Sequence, residues 1–143
     1  MPRFVLLYHE CPPNYERASH WDFMLESGGA LCTWALEQLP RGWQAVQTRT
    51  AAIYPNCPSL SSANHASAAQ LGDHRLDYLQ LEGPLSGERG AVVRVAAGTY
   101  ASEGELPDGW EMMIASTELS GCVVLKRSES DHSRWSLEYR PSG

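Results

Sequence analysis

Positive charge is scarce in this chain. It carries 11 Lys and Arg against 17 Asp and Glu, a formal net charge of −6 over 143 residues. A protein that coats nucleic acid by electrostatics alone needs clustered cations, so this balance argues against that class. It leaves room for an enzyme that grips one strand end through a few arginines and a metal, because a bound divalent ion locally reverses the field. Long apolar runs are missing too, with nothing approaching the roughly 18–20 residues of a membrane-spanning helix. The opening residues Met1 to His9 turn polar too soon for a secretory signal. A cytoplasmic location without a membrane partner is therefore expected. The four cysteines, Cys11, Cys32, Cys57 and Cys122, form no Cys-x-x-Cys pair. Free thiols are expected of them rather than a structural zinc site. Repeats, low-complexity tracts and clear linkers are also absent, and a 43% apolar chain of this length suits one domain with its own core.

What the chain does have is a series of short strand-like runs. Phe4 to Tyr8 is apolar, and His20 to Glu26 alternates. Ser27-Gly28-Gly29 turns the chain, and Ala30 to Leu36 reads as the returning strand of a hairpin. Thr48 to Tyr54 is a weaker strand signal, and His74 to Leu81 alternates again. Further runs follow from Ala91 to Tyr139, with Glu103 to Gly109 and Ser128 to Ser133 as hairpin loops. The Ala- and Ser-rich stretch Ser59 to Leu71 is the one helix candidate. The expected fold is mainly β: a compact closed barrel of about eight strands with one short helix, as a single unit over residues 1–143. A sandwich satisfies the same spacing.

Chemistry-bearing residues recur along this frame. Residues two apart on a strand share a face, so His20 and Asp22 point one way while Trp21, Phe23 and Leu25 point the other. An imidazole beside a carboxylate suits Mn²⁺, Zn²⁺ or Fe²⁺, and His9, at the end of the first run, is placed to add a third ligand. On spacing alone, a surface ion pair and a loop histidine account for the same residues. His74 and Tyr78 are four apart, which on a strand gives a shared face and two groups able to contact a phosphoryl oxygen. An exposed histidine and an ordinary half-buried tyrosine fit that spacing equally. Arg17, and Arg89 in the glycine-rich loop Gly83 to Gly90, are candidate phosphate contacts.

Taken in order, these pieces resemble the 3′-phosphoesterase module of bacterial DNA ligase D. The likeness rests on Arg3-Phe4-Val5-Leu6 leading to His9, then Arg17 to Glu26, Thr33-Trp34-Ala35-Leu36, Asp73 to Tyr78, Glu82-Gly83-Pro84, Gly87 to Gly90 and Gly98-Thr99-Tyr100. The resemblance implies a β-barrel with a metal-containing groove on its outer surface. It implies His9, His20 and Asp22 as ligands of a divalent ion, Mn²⁺ first, with Zn²⁺ or Co²⁺ as alternatives. His74 and Tyr78 would contact the scissile phosphate, with His74 as proton donor. The implied activity removes a 3′-phosphate or a terminal 3′-ribonucleotide from a DNA end during end joining. A separate ligase or polymerase is the expected partner of such a stand-alone, monomeric module.

The chain departs from the family pattern in several places. Trp21 replaces a tyrosine, and Met24 replaces an arginine on the face expected to carry the metal. Ser67-Ala68-Ala69-Gln70 lacks the arginine that usually precedes the third motif, and a longer loop around Pro12-Pro13 separates His9 from His20. The arm that precedes the first strand in the family has no counterpart before Met1. Each lost charged hydrogen bond costs roughly 1.5–3 kcal/mol. Two such losses in a transition state cost about 10²–10⁴-fold in rate. Two alternatives therefore stand beside the enzyme: a module that binds a strand end or repair partner without chemistry, and a small-molecule phosphoesterase.

Overall fold

The computed structural model describes residues 1–106 and 108–141. Nine strands form one antiparallel sheet: β1 (Arg3–Glu10), β2 (His20–Ser27), β3 (Ala30–Leu36), β4 (His65–His74), β5 (Gly83–Pro84), β6 (Ala91–Leu106), β7 (Gly109–Ala115), β8 (Ser120–Arg127) and β9 (Trp135–Pro141). Their order is β1-β2-β3-β4-β9-β8-β7-β6, and β6 returns to pair with β1. Eight strands thus close a barrel, which removes the open edges that a flat sheet would expose. The two-residue β5 extends β6. One α-helix, α1 (Gln44–Ile53), follows a 3-10 turn at Arg41–Trp43. Among the described residues no helix is long and apolar enough to cross a membrane.

The hairpin of β2 and β3 shows why these residues fold as they do. Ser27 pairs with Ala30, leaving a two-residue turn of Gly28 and Gly29 at φ +61° and +82°. Two consecutive positive φ values define the turn whose twist matches that of the flanking strands, and glycine adopts them at little cost. Period-2 alternation then sends Trp21, Phe23 and Leu25 into the barrel beside Phe4, Leu6 and Tyr8 of β1. Trp34 fills the middle, edge-on to Trp110 and Trp135 with ring centroids 5.3 and 5.5 Å away. The turn and helix add Trp43 and Val46 to this core. Trp21 Nε1 donates to Thr50 Oγ1 at 3.2 Å, and Thr50 Oγ1 donates to the Val46 carbonyl at 2.9 Å.

The barrel meets the expectation of the sequence, but four segments within it do not. The helix lies at Gln44–Ile53, not in the Ser59 to Leu71 stretch, and it absorbs most of the strand expected over Thr48 to Tyr54. The Ala- and Ser-rich stretch instead enters β4, where Ala66 and Ala68 are buried and Ser67 is exposed. Small side chains hide a period-2 pattern that larger apolar residues would have declared. The strand expected from His74 to Leu81 ends at His74 and gives way to a 3-10 turn at Leu76–Leu79. The Glu103 to Gly109 loop is shorter than expected, since β6 runs to Leu106 and β7 starts at Gly109; Pro107 lies outside the described residues. The Ser128 to Ser133 loop joins β8 to β9 as expected.

That 3-10 turn matters because it covers part of the outer face. Val5 and Leu7 of β1, Met24 of β2 and Leu31 of β3 point away from the barrel and pack with Tyr78 and Leu79 into a second apolar cluster. Met24 has no exposed surface. The barrel is therefore layered on both sides of β1 and β2.

Two substitutions test this packing. Thr50→Val keeps the shape and removes the acceptor, stranding a buried indole N–H. Urea unfolding should show a loss of about 1–3 kcal/mol. A change under about 0.5 kcal/mol, typical of surface sites, would mean the bond holds nothing. Met24→Arg, which restores the residue of the family pattern, places a charge beneath Tyr78 and Leu79. It should cost roughly 3–5 kcal/mol, the scale of an uncompensated buried charge; an unchanged unfolding midpoint would show the cluster to be loose.

Candidate metal and phosphate site

Register alone brings three polar residues together. β1 and β2 pair with Val5 opposite Met24, Leu7 opposite Asp22 and His9 opposite His20. The outward row therefore begins apolar, under the 3-10 turn, and ends with two imidazoles and a carboxylate. His9, His20 and Asp22 are 8%, 2% and 4% exposed, so all three are held largely out of water. The His9 and His20 rings meet edge-on with centroids 5.2 Å apart.

The hydrogen bonds of these residues leave free lone pairs facing one another. His20 Nδ1 lies 2.7 Å from the Ala18 carbonyl, so Nδ1 carries the proton and Nε2 is left as a base. His20 Nε2 sits 3.0 Å from Asp22 Oδ1, yet the pair is not aligned as a hydrogen bond, and both atoms are buried without a partner. Across the strand, His9 Nε2 lies 2.7 Å from the Arg89 carbonyl, which leaves Nδ1 free to ligate. Burial is the main influence on His9 and pushes its pKa down, favouring the neutral ring that a metal needs. For His20 burial also acts downward, but the adjacent Asp22 carboxylate, 3.0 Å away, outweighs it and raises the pKa.

This donor set fits a divalent ion. Buried polar atoms without hydrogen-bond partners are costly, and a bound cation would satisfy His20 Nε2 and Asp22 Oδ1. Two nitrogens and a carboxylate oxygen suit Mn²⁺, Zn²⁺, Fe²⁺ or Co²⁺. Cys11 is a fourth candidate donor: His9, Cys11 and His20 each offer a ligand atom within 4.8 Å of the others, a group that does not include Asp22. Its thiol is pushed up to about 11, chiefly by burial and then by the Asp22 charge, so it is protonated at neutral pH. The sequence signal for it was its position two residues beyond His9, on the same outward face.

A cavity of about 280 Å³ opens over these groups, lined by His9, His20, Asp22, Arg17, Tyr15 and His74. Arg17 comes from the exposed loop between β1 and β2, the longer connection noted around Pro12-Pro13. His74 arrives at the end of β4, opposite Leu31, with its Nδ1 3.0 Å from the Gly72 carbonyl. Its Nε2 is the nitrogen left for a ligand. Tyr78 does meet His74, with ring centroids 5.0 Å apart and planes at 86°, though not by sharing a strand face. The 3-10 turn carries Tyr78 under the histidine, and its ring is largely buried in the outer apolar cluster.

Arg89 does not present its side chain in the way expected. Its Nε donates to the Ser86 carbonyl at 2.8 Å and its guanidinium to Ser86 Oγ at 3.1 Å, which folds it back on its own loop. Its contribution to the site is the backbone carbonyl that orients His9. Gly90 makes that approach feasible: at φ +91°, a Cβ there would collide with the Glu10 carbonyl.

No family model matches the chain. It is 32% identical over 129 residues to the multifunctional non-homologous end joining DNA repair protein LigD of Mycobacterium tuberculosis, and to the same degree to the multifunctional non-homologous end joining protein LigD of Mycobacterium bovis. The matched stretch takes in 85% of this chain and 14% of each relative. The chain is thus similar, along most of its length, to a small part of a multifunctional end-joining protein.

Proposed function

We propose that this chain is a divalent-metal-dependent phosphoesterase that removes a 3′-phosphate, or a terminal 3′-ribonucleotide, from nucleic acid ends during end-joining repair. The observation that carries the reading is the buried, unpartnered pair His20 Nε2 and Asp22 Oδ1, opposite His9 and open to the same cavity as Arg17 and His74. The similarity to LigD supports the repair setting. DNA or RNA-terminated DNA ends are the substrates in this reading, and a ligase or polymerase acts on the cleaned end.

His9, His20 and Asp22 hold the ion, Mn²⁺ being the first candidate. When bound, the ion supplies charge neutralisation at the phosphate and a polarised water. The protein supplies the rest. Arg17 lies over the cavity mouth, where a guanidinium pairs with two phosphoryl oxygens. His74 donates its Nδ1 proton to the Gly72 carbonyl, which fixes Nε2 toward the cavity. As an imidazolium it gives the Nε2 proton to the departing oxygen. Tyr78 supports the His74 ring edge-on and keeps that nitrogen aimed.

A second reading is favoured by one observation. Met24, which stands where the family pattern has an arginine, is sealed in an apolar cluster and gives no cation to the cavity. A module that holds a metal and a strand end without turnover fits that loss. Incubation with Mn²⁺ and a primer-template bearing a 3′-phosphate separates the two, with a free nucleotide monophosphate alongside. Phosphate should be released from the primer, and His20→Ala should abolish both the release and Mn²⁺ binding by calorimetry. His74→Asn should keep the metal and lower kcat by about 10²–10⁴. Metal-dependent binding with no release would establish the binding module instead. Turnover of the free nucleotide alone would move the substrate to small molecules.

A further inference from the structure

The metal cavity is one end of a longer depression. Arg17 and His20 also line a second cavity of about 400 Å³, with Ala35, Ser67, Ala69 and Arg134. Ser67 and Arg134 in turn line a third, of about 580 Å³, with Lys126, Arg127 and Ser136. The sheet register explains the continuity. Asp22 pairs with Ala35 and Ala35 with Ala69; Ser67 pairs with Ser136 and Ser136 with Lys126. The outward residues of β3, β4 and β9 along this row are alanine and serine, so nothing large stands between the metal ligands on β2 and the cation on β8. Four strand spacings of about 4.8 Å, with a two-residue step along β4 from Ala69 to Ser67, make the row roughly 20 Å long.

Charge at the far end of the row runs against the rest of the molecule. The carboxylates Glu16, Asp22 and Glu37 gather toward the metal end with Arg17, while Lys126, Arg127 and Arg134 face only Glu129 at the far end, in a chain where acids outnumber bases 17 to 11. Arg134 is 82% exposed, and its carboxylate neighbour, Asp131, lies at 3.4 Å. Such a loose surface pair yields readily to a phosphate. Trp135 offers no stacking surface, because its ring packs in the barrel core with the Arg127 guanidinium over it at 5.4 Å.

We infer that this trench seats the strand that leads to the reacting 3′ end, holding its backbone phosphates with Arg134 and Lys126 and reading no bases. The inference rests on the proposed phosphoesterase reading for the direction of the strand. It names as substrate an oligonucleotide rather than a mononucleotide. Alanine and serine floor the path, cations stand at its far end, and the metal ligands stand at its near end. A flexible, sequence-neutral polyanion is what fits.

Fluorescence anisotropy with a short single-stranded deoxyoligonucleotide carrying a 3′-phosphate, in Mn²⁺, tests the trench. Arg134→Glu should weaken binding about tenfold and flatten the salt dependence by about 0.7 in log–log slope, the share of one single-strand phosphate. Arg41→Glu makes the same charge change on an exposed residue outside the trench and should leave affinity within about twofold. Competition by a 3′-mononucleotide should be the same in wild type and Arg134→Glu. Equal weakening by both variants, no weakening by Arg134→Glu, or failure of the wild type to bind the oligonucleotide overturns the trench. Arg134-dependent binding without phosphate release keeps the trench and removes the phosphoesterase. Phosphate release with a KM indifferent to Arg134→Glu does the reverse.

Discussion

The register between β1 and β2 is the constraint on which the site depends. Phe4, Leu6 and Tyr8 face the core with Trp21, Phe23 and Leu25, and this sets His9 against His20 on the other side. A slip of β2 by one residue would turn its side chains over, exposing Trp21, Phe23 and Leu25 and burying His20 and Asp22 in the barrel. The hydrophobic effect on the inner face therefore fixes the ligands on the outer face, with no direct bond between the two rings. Closure by β6 reinforces this, because β1 is paired on both edges and cannot slide along one neighbour without breaking the other.

Having fixed these groups, the fold leaves them unfavourably placed. His20 and Asp22 are taken out of water, and the facing atoms of the pair, 3.0 Å apart, have no hydrogen-bond partner. Burying such atoms costs about 1–3 kcal/mol each. The Ala18 and Arg89 carbonyls each hold one imidazole in orientation. Buried donors held in orientation, at a cost to the fold, are an arrangement whose cost a bound ion could repay.

The sequence was most legible where one strand had two distinct faces. His20 to Ser27 showed its alternation openly, and the glycine pair fixed its turn. It was least legible where side chains were small. Ala66 and Ala68 alternate with Ser67 in β4 as strictly as Trp21 alternates with His20, but their sizes hide it. The helix Gln44–Ile53 buries only Val46 and Thr50 from its own length, too few for an apolar stripe. His74 and Tyr78 were paired for a reason the structure replaces: a strand end and a 3-10 turn bring them together where a shared face was expected. Arg89 differs in another way, since its guanidinium bonds Ser86 on its own loop while its backbone carbonyl meets His9. A sequence shows residue types, and a carbonyl belongs to all of them.

The outer apolar cluster bears on how such a site handles an anion. In the family pattern an arginine stands at position 24, on a strand two residues from Asp22, where this chain has buried Met24 under Tyr78 and Leu79. Methionine there extends the layer of Val5, Leu7, Leu31 and Leu79 and anchors the 3-10 turn that carries Tyr78. The exchange trades a fixed charge for packing that steadies the support of His74. The cation nearest the cavity is then Arg17, on an exposed loop. A loop guanidinium must lose rotamer and backbone freedom each time it grips a ligand, which weakens its hold relative to a strand-borne one. In the proposed reading, much of the electrostatic hold on a phosphate would then come from an ion held by His9, His20 and Asp22. That dependence would tie anion binding to metal occupancy more tightly than in a site that keeps its strand arginine.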